Sequence, residues 1–216
     1  MTRPAVIVAA ALVGVAGSMW ARANLGETAE DDDGGDWLAW LDTINPIAWL
    51  QGLTAGAESM HPNIRAALDM IQWAEGTAGR PDPYRVCYGY RHTIRDTAEH
   101  PAVSGEWAGE VITRGKYAGQ RSTAAGAYQI TRGTWRDARR ALALPDFGQA
   151  SQDSAAVWLI RTRCQALALI QAGRLAEAMP ALSRVWASLP GSTAGQGGKR
   201  GDELARVYVE AGGVLA

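Results

Sequence analysis

Between Pro62 and Ala74 the apolar residues Ile64, Ala67, Leu68, Ile71 and Ala74 recur at spacings of three and four, and the run stops at Glu75-Gly76. That period belongs to an α-helix, Pro62 suits a first helical turn, and Gly76 supplies the stop. An amphipathic helix must bury its apolar face, so the chain has to build at least one further layer around it. The same helix puts Glu75 in its last turn, where free carbonyls make the local potential negative and disfavour a carboxylate. Burial beside Trp73 would push the same way, toward a neutral acid with a raised pKa. A carboxylic acid still protonated near neutral pH is what cleavage of a sugar–sugar bond requires. By position alone, Glu75 equally fits a solvated residue at a fraying helix end.

Residues 76–83, rich in Gly and Pro, read as a loop. Residues 84–94 are dense in Tyr and β-branched side chains, which predicts short strands. Glycine-punctuated turns continue through 105–127. Helices are predicted over 132–142, 152–171, 180–187 and 201–210, with Gly173 and Pro180 as breaks and Leu189-Pro190-Gly191 as a turn. Helix, small sheet, then several helices predicts an α+β fold: a mainly helical lobe plus a small antiparallel sheet, with a substrate cleft between them.

A length of 216 residues allows one domain of ordinary size plus an extension, and the chain divides into 1–23, 24–57 and 58–216. Residues 4–21 carry no charge and follow a short positive start. They fit a cleaved signal peptide, with Ala21-Arg22-Ala23 as the cleavage site, or a membrane anchor near the minimum span of about 17–20 residues. Either way the body is expected outside the cytoplasm. Residues 24–36 read as a flexible acidic linker, and 37–53 as a Trp-rich apolar block that packs on the body or lies at a membrane interface.

Charge follows the same division. Residues 1–57 hold two arginines against seven acids, net −5, while 58–216 hold 19 bases against 15 acids, net +4. A mildly basic body suits an anionic polymer, by diffuse attraction. No nucleic-acid-binding motif is present, which turns that expectation toward cell-wall glycan. Nine Trp against one Phe offers candidate sugar-stacking faces, although a core role fits any single one of them. Cys87 and Cys164 are the only cysteines. With no C-x-x-C pair and no His cluster, neither a metal site nor a cofactor is expected. In an exported chain the two thiols fit one disulfide or two buried free groups.

A second candidate region lies at Thr123-Ala124-Ala125-Gly126-Ala127-Tyr128-Gln129-Ile130. Gly126 lets backbone approach a ligand closely, and the Gln129 amide can both donate to and accept from sugar hydroxyls. Alone, the segment also fits an ordinary turn. Trp186-Ala187-Ser188-Leu189-Pro190-Gly191, followed by the Gly- and Ser-rich residues 192–201, fits a cleft rim or a plain helix end.

These stretches, in this order, resemble the lambda-type phage endolysin family of lytic transglycosylases with a lysozyme-like fold. The matching residues are Ile71 to Thr77 (I-Q-W-A-E-G-T), His100-Pro101, Arg121 to Gln129, Asp146-Phe147, Ser151 to Asp153 and Trp186 to Gly191, with Gln196, Asp202 and the tail Glu210-Ala211-Gly212-Gly213 continuing the last. The resemblance implies that Glu75 is the single catalytic acid/base. It also implies that Thr123, Gly126, Tyr128, Gln129, Ser188, Gln196 and Asp96 bind peptidoglycan glycan strands, Asp96 only by way of a one-residue insertion after Tyr84. A monomer without metal or cofactor is expected. Two departures stand out: Ala194 where the family carries a Tyr, and the apolar N-terminus, which resembles that of signal-anchor-release endolysins. Two rival readings remain: a hydrolytic muramidase using Asp96 or Glu106 as a second acid, and a non-catalytic peptidoglycan-binding module.

Overall fold

The structure, a computed structural model, describes residues 60–192 and 199–216. The apolar, acidic and Trp-rich stretches before residue 54 lie outside the described residues, as do Ala194 and Gln196. The elements in chain order are α1 (Pro62–Ala74), α2 (Pro101–Ser104), β1 (Glu110–Val111), β2 (Arg121–Ser122), α3 (Arg132–Leu142), α4 (Gln149–Thr162), α5 (Leu167–Gln171), α6 (Leu175–Leu182) and α7 (Gly201–Glu210).

α1 is the central helix, and α4, α5 and α7 pack around it. Its start is set by Pro62 and by the His61 imidazole, which accepts from the Asn63 amide at 3.2 Å. The expected stripe is buried, but so are Asn63, Ala66, Met70 and Gln72, which lie outside it. A one-faced helix was expected; a helix covered on nearly all sides is found. Small alanines let neighbouring helices approach, and each fully buried Leu, Ile or Met contributes about 1.5–3 kcal/mol. The chain end closes over the start of α1: Asn63 donates to the Gln171 carbonyl at 3.1 Å and accepts from the Val214 amide at 2.8 Å.

The small sheet exists, but not where β-branched density predicts it. β1 and β2 pair antiparallel with Glu110 opposite Ser122 and Val111 opposite Arg121. Residues 84–94 instead form a 3₁₀ turn at Pro83–Arg85 and single bridges, Val86 to Thr93 and Cys87 to Ala125. Gly89 (φ 80°) and Tyr90 (φ 60°) turn the segment back before a ladder can grow. Its apolar residues Val86, Cys87 and Ile94 are buried as core. The helix predicted over 152–171 is two helices, broken where Gln165 adopts φ 52° and the Ala166 amide returns to the Ile160 carbonyl at 3.0 Å. This left-handed stop normally uses glycine, so the sequence carries no sign of it. Pro180, expected to open a helix, lies inside α6.

The lone Phe147 sits in the core with Trp135 and His100 edge-on to it, at ring-centroid distances of 4.8 and 4.7 Å. Trp135 and Trp186 are buried, so at least these two tryptophans serve the core and not a sugar. Cys87 and Cys164 are both free and buried, and burial pushes their thiols up to about 12. The disulfide alternative is therefore not realised.

His100 is fully buried. Its Nδ1 accepts from the Ala102 amide at 3.1 Å, which leaves Nε2–H to donate to the Ile130 carbonyl at 3.0 Å. Both nitrogens are used by the neutral ring, and burial pushes its pKa down from 6.5 to about 4. A depressed folded value means that the neutral ring contributes stability above pH 6.5, lost as pH falls through 4. Urea midpoints should therefore drop between pH 6.5 and 4. They should drop less steeply in a His100→Gln variant, whatever its stability at neutral pH.

Candidate active site

Glu75 caps the C-terminal end of α1 at φ −72°, ψ −6°, its own amide bonded to the Ile71 carbonyl at 2.9 Å. Gly76 follows at φ 73°, and this turn brings the Thr77 amide back to the Gln72 carbonyl at 3.0 Å. The Thr77 hydroxyl then donates to the Ala127 carbonyl at 2.6 Å, joining the helix end to the 123–130 loop. The Glu75 carbonyl accepts from the Tyr90 hydroxyl at 2.7 Å. Its carboxyl Oε1 accepts from Ser188 Oγ, 113 residues away, at 2.7 Å. Burial pushes the Glu75 pKa from 4.5 up to about 7 against the opposing pull of the Ser188 hydrogen bond. Half-buried as the residue is, the loss of water around its carboxyl outweighs one hydroxyl donor. Glu75 can therefore hold a proton near neutrality and release it.

The 123–130 loop is fixed from behind. Tyr128 is fully buried, and its hydroxyl donates to Asp153 Oδ1 at 2.5 Å while accepting from Gln72 Nε2 at 3.2 Å. Tyr84 and Arg65 donate to the same carboxylate at 2.9 and 3.0 Å. Burial first, then the Asp153 charge, holds the Tyr128 hydroxyl protonated far above its ordinary range. Tyr128, expected against substrate, thus supports the loop through its side chain. Gly126 has φ 77°, and a Cβ there would lie 2.1 Å from Gln152 Oε1. The close approach that glycine allows is to the Gln152 amide, where a ligand was expected. Gln152 accepts from the Ala127 amide at 2.9 Å and donates to the Tyr84 and Phe147 carbonyls. Thr123 accepts from the Arg132 amide at 3.1 Å, at the start of α3. Gln129, half-buried at φ 49°, turns its amide NH₂ to the Gly126 carbonyl at 3.0 Å.

Of the expected site residues, Ser188 meets Glu75 and the loop residues stand on the same scaffold, while Gln196 lies outside the described residues. Asp96 is exposed and caps its own turn, accepting from the Ala98 amide at 2.8 Å. Glu106 accepts from the Arg95 and Asp96 amides and from His92 Nε2. Burial raises its pKa, but these hydrogen bonds outweigh it and hold the carboxyl below its usual range. Among the described residues, no hydrogen bond or ion pair joins Glu75 to a second carboxylate, and no His/Cys/Asp/Glu group could hold a metal. A surface cavity of about 580 Å³ beside Trp135 and Arg136 includes none of these residues. Sequence reasoning missed Tyr90, Thr77, Gln152 and Asp153 as the groups that hold Glu75 and the loop. Thr77, Gln152 and Asp153 lie in stretches that carry the family resemblance, but their partners are distant along the chain, so nothing local gives their role.

A buried acid poised to give up its proton near neutrality, at the foot of the central helix of a largely helical body, defines a lysozyme-like protein. Solved structures agree. Bacteriophage lambda lysozyme complexed with a chitohexasaccharide matches at a TM-score of 0.63 and 33% identity, covering 73% of this chain and 98% of that one. A second lysozyme structure from bacteriophage lambda matches at a TM-score of 0.60 and 32% identity. The Endolysin family model matches residues 65–215. The endolysin of Escherichia phage P2 is 40% identical over 164 residues, 72% of this chain and 96% of the relative. That of Escherichia phage lambda is 35% identical over 156 residues, 70% and 92%. The chain belongs to the endolysin family.

Two measurements check this geometry. Glu75 has a folded pKa above its unfolded one, so its contribution to stability is present below pH 4.5 and lost as pH rises through 7. Glu75→Gln should therefore melt higher than the unsubstituted protein at pH 8, by about 1–3 kcal/mol, with the gap closing toward pH 4.5. Gly126→Ala meets both a forbidden φ and the Gln152 amide. It should lose more than about 2 kcal/mol in urea unfolding.

Proposed function

We propose that this endolysin is a peptidoglycan lytic transglycosylase that cleaves the β-1,4 bond between N-acetylmuramic acid and N-acetylglucosamine. Protonated Glu75 donates to the glycosidic oxygen as the bond from C1 breaks. The resulting carboxylate takes the proton of the muramic C6 hydroxyl, and O6 closes onto C1 to give a 1,6-anhydro ring. One proton leaves Glu75 and one returns, no water is consumed, and a single carboxyl serves as acid and then base. A hydrolase of the paired-carboxylate type needs a second carboxyl to activate water.

The observation that supports this reading is a Glu75 carboxyl kept protonated near neutrality by burial, while the two candidate second acids are engaged by other groups. Asp96 caps its own turn, and Glu106 is held ionised by His92 and two backbone amides. The related lambda lysozyme has been solved with a chitohexasaccharide, which supports a glycan as ligand here. Ser188 positions the Glu75 carboxyl, and Thr123, Gln129 and Gln196 are the proposed glycan contacts.

Export belongs to the same proposal. The charge-free residues 4–21 support a signal peptide or a releasable anchor that holds the enzyme at the inner membrane, facing the periplasm, until host lysis. The enzyme acts as a monomer, without cofactor or nucleic acid.

Mass spectrometry of fragments released from purified peptidoglycan tests the reaction. Disaccharide-peptides lighter than the hydrolysis product by one water are expected. Activity should fall on a single limb as pH rises through about 7, the value set by the burial of Glu75. Full-mass reducing ends would assign the enzyme to the hydrolytic muramidases, and a Glu75→Gln protein whose lytic phenotype is intact would favour a binding module.

A further inference from the structure

Tyr90 stands beside Glu75 in a conformation that disfavours every residue except glycine and, less strongly, asparagine or aspartate. Its φ is 60°, in a turn where its amide bonds to the Cys87 carbonyl at 3.0 Å. Nothing in the hydrogen bonding of this turn requires an aromatic side chain, and glycine would fit without strain. Strain kept at a reactive group points to a use for the side chain. Tyr90 is 47% exposed although its hydroxyl is tied to backbone at 2.7 Å. That bond to the Glu75 carbonyl prevents the ring from swinging away. The ring also feels the carboxyl itself: burial first, then the Glu75 charge, raises the Tyr90 pKa.

Arg80 lies over the ring, its guanidinium carbon 4.2 Å from the centroid. The residue is exposed, and among the described residues it has no ion-pair partner. Beside the reacting carboxyl there is thus an immobilised aromatic ring with a free cation held against it. The two elements suit the two chemical features of a muramyl peptide. A pyranose offers an apolar C–H face to an aromatic ring, and a stem peptide offers carboxylates to a guanidinium.

We propose that Tyr90 and Arg80 form a subsite for a peptide-bearing muramyl residue, Tyr90 stacking on the sugar and Arg80 pairing with a carboxylate of its peptide. The subsite rests on the reading of this chain as a peptidoglycan-cleaving enzyme. It makes Tyr90 a general glycan contact and Arg80 a selector for substituted over plain glycan.

Binding to full-length Glu75→Gln protein, followed by calorimetry, tests both parts with two probes: chitohexaose, which has no peptide, and a peptidoglycan tetrasaccharide with its stem peptides. Adding Tyr90→Gly should weaken both probes by about tenfold, while Tyr90→Phe, which keeps the ring but loses the bond that fixes it, should weaken both by clearly less. Arg80→Gln should weaken the peptide-bearing probe by about tenfold and leave chitohexaose unchanged. Glycine relieves the strained φ, so Tyr90→Gly should melt no lower than its parent, and Tyr90→Asn provides a second ring-less variant that tolerates the conformation. Unchanged affinity in both ring-less variants, or an Arg80→Gln effect equal on the two probes, would overturn the inference alone. A Glu75→Gln protein that binds neither probe would overturn the functional reading as well.

Discussion

Asp153 is a carboxylate 6% exposed in the middle of the fold, and Arg65, Tyr84 and Tyr128 all donate to it. An uncompensated charge at such a depth would cost several kcal/mol, so the donors are bound to their places as firmly as the carboxylate is. Through Arg65 the interaction grips α1, and through Tyr128 it grips the 123–130 loop. The loop's Ala127 carbonyl then receives the Thr77 hydroxyl, two residues beyond Glu75. The position of the reactive acid is thus set from the far side of the core. Gln152, the residue before Asp153, secures the same loop through its amide, and only glycine at position 126 leaves room for it.

The acid itself is an unfavourable feature that the fold sustains. A helix C-terminus and burial from water both oppose a negative charge at Glu75, and one serine hydroxyl favours it. Burial wins, and the carboxyl titrates where proton donation and proton recovery are both accessible. The same balance makes the group a stability burden whenever it is ionised. Stability and reactivity therefore pull in opposite directions at this residue, a conflict common at sites that do chemistry.

Much of the site was legible in the sequence because its signals were local. The three-four spacing from Ile64 to Ala74 and the Gly76 stop located α1 and its last turn, and the family resemblance singled out Ser188, though as a glycan contact and not as the partner of Glu75 across 113 residues. What was illegible depended on which way side chains face. Tyr128 carries the chemistry of a ligand contact and turns inward to Asp153; Gly126 makes room for Gln152. The Tyr and β-branched residues of 84–94 carry a strand signal, yet Val86, Cys87 and Ile94 serve there to fill the core. Left-handed turns at Tyr90, Ala143 and Gln165 escaped notice because none uses glycine.

The central claim is that Glu75 is a carboxylic acid protonated near neutrality because the fold buries it at the end of α1. A ¹³C NMR titration of its side-chain carboxyl in the intact protein, assigned by comparison with Glu75→Gln, tests that claim directly. A midpoint near 7 is predicted. A midpoint near the ordinary 4.5 would mean that water reaches the carboxyl freely, and would contradict both the burial and the role built on it.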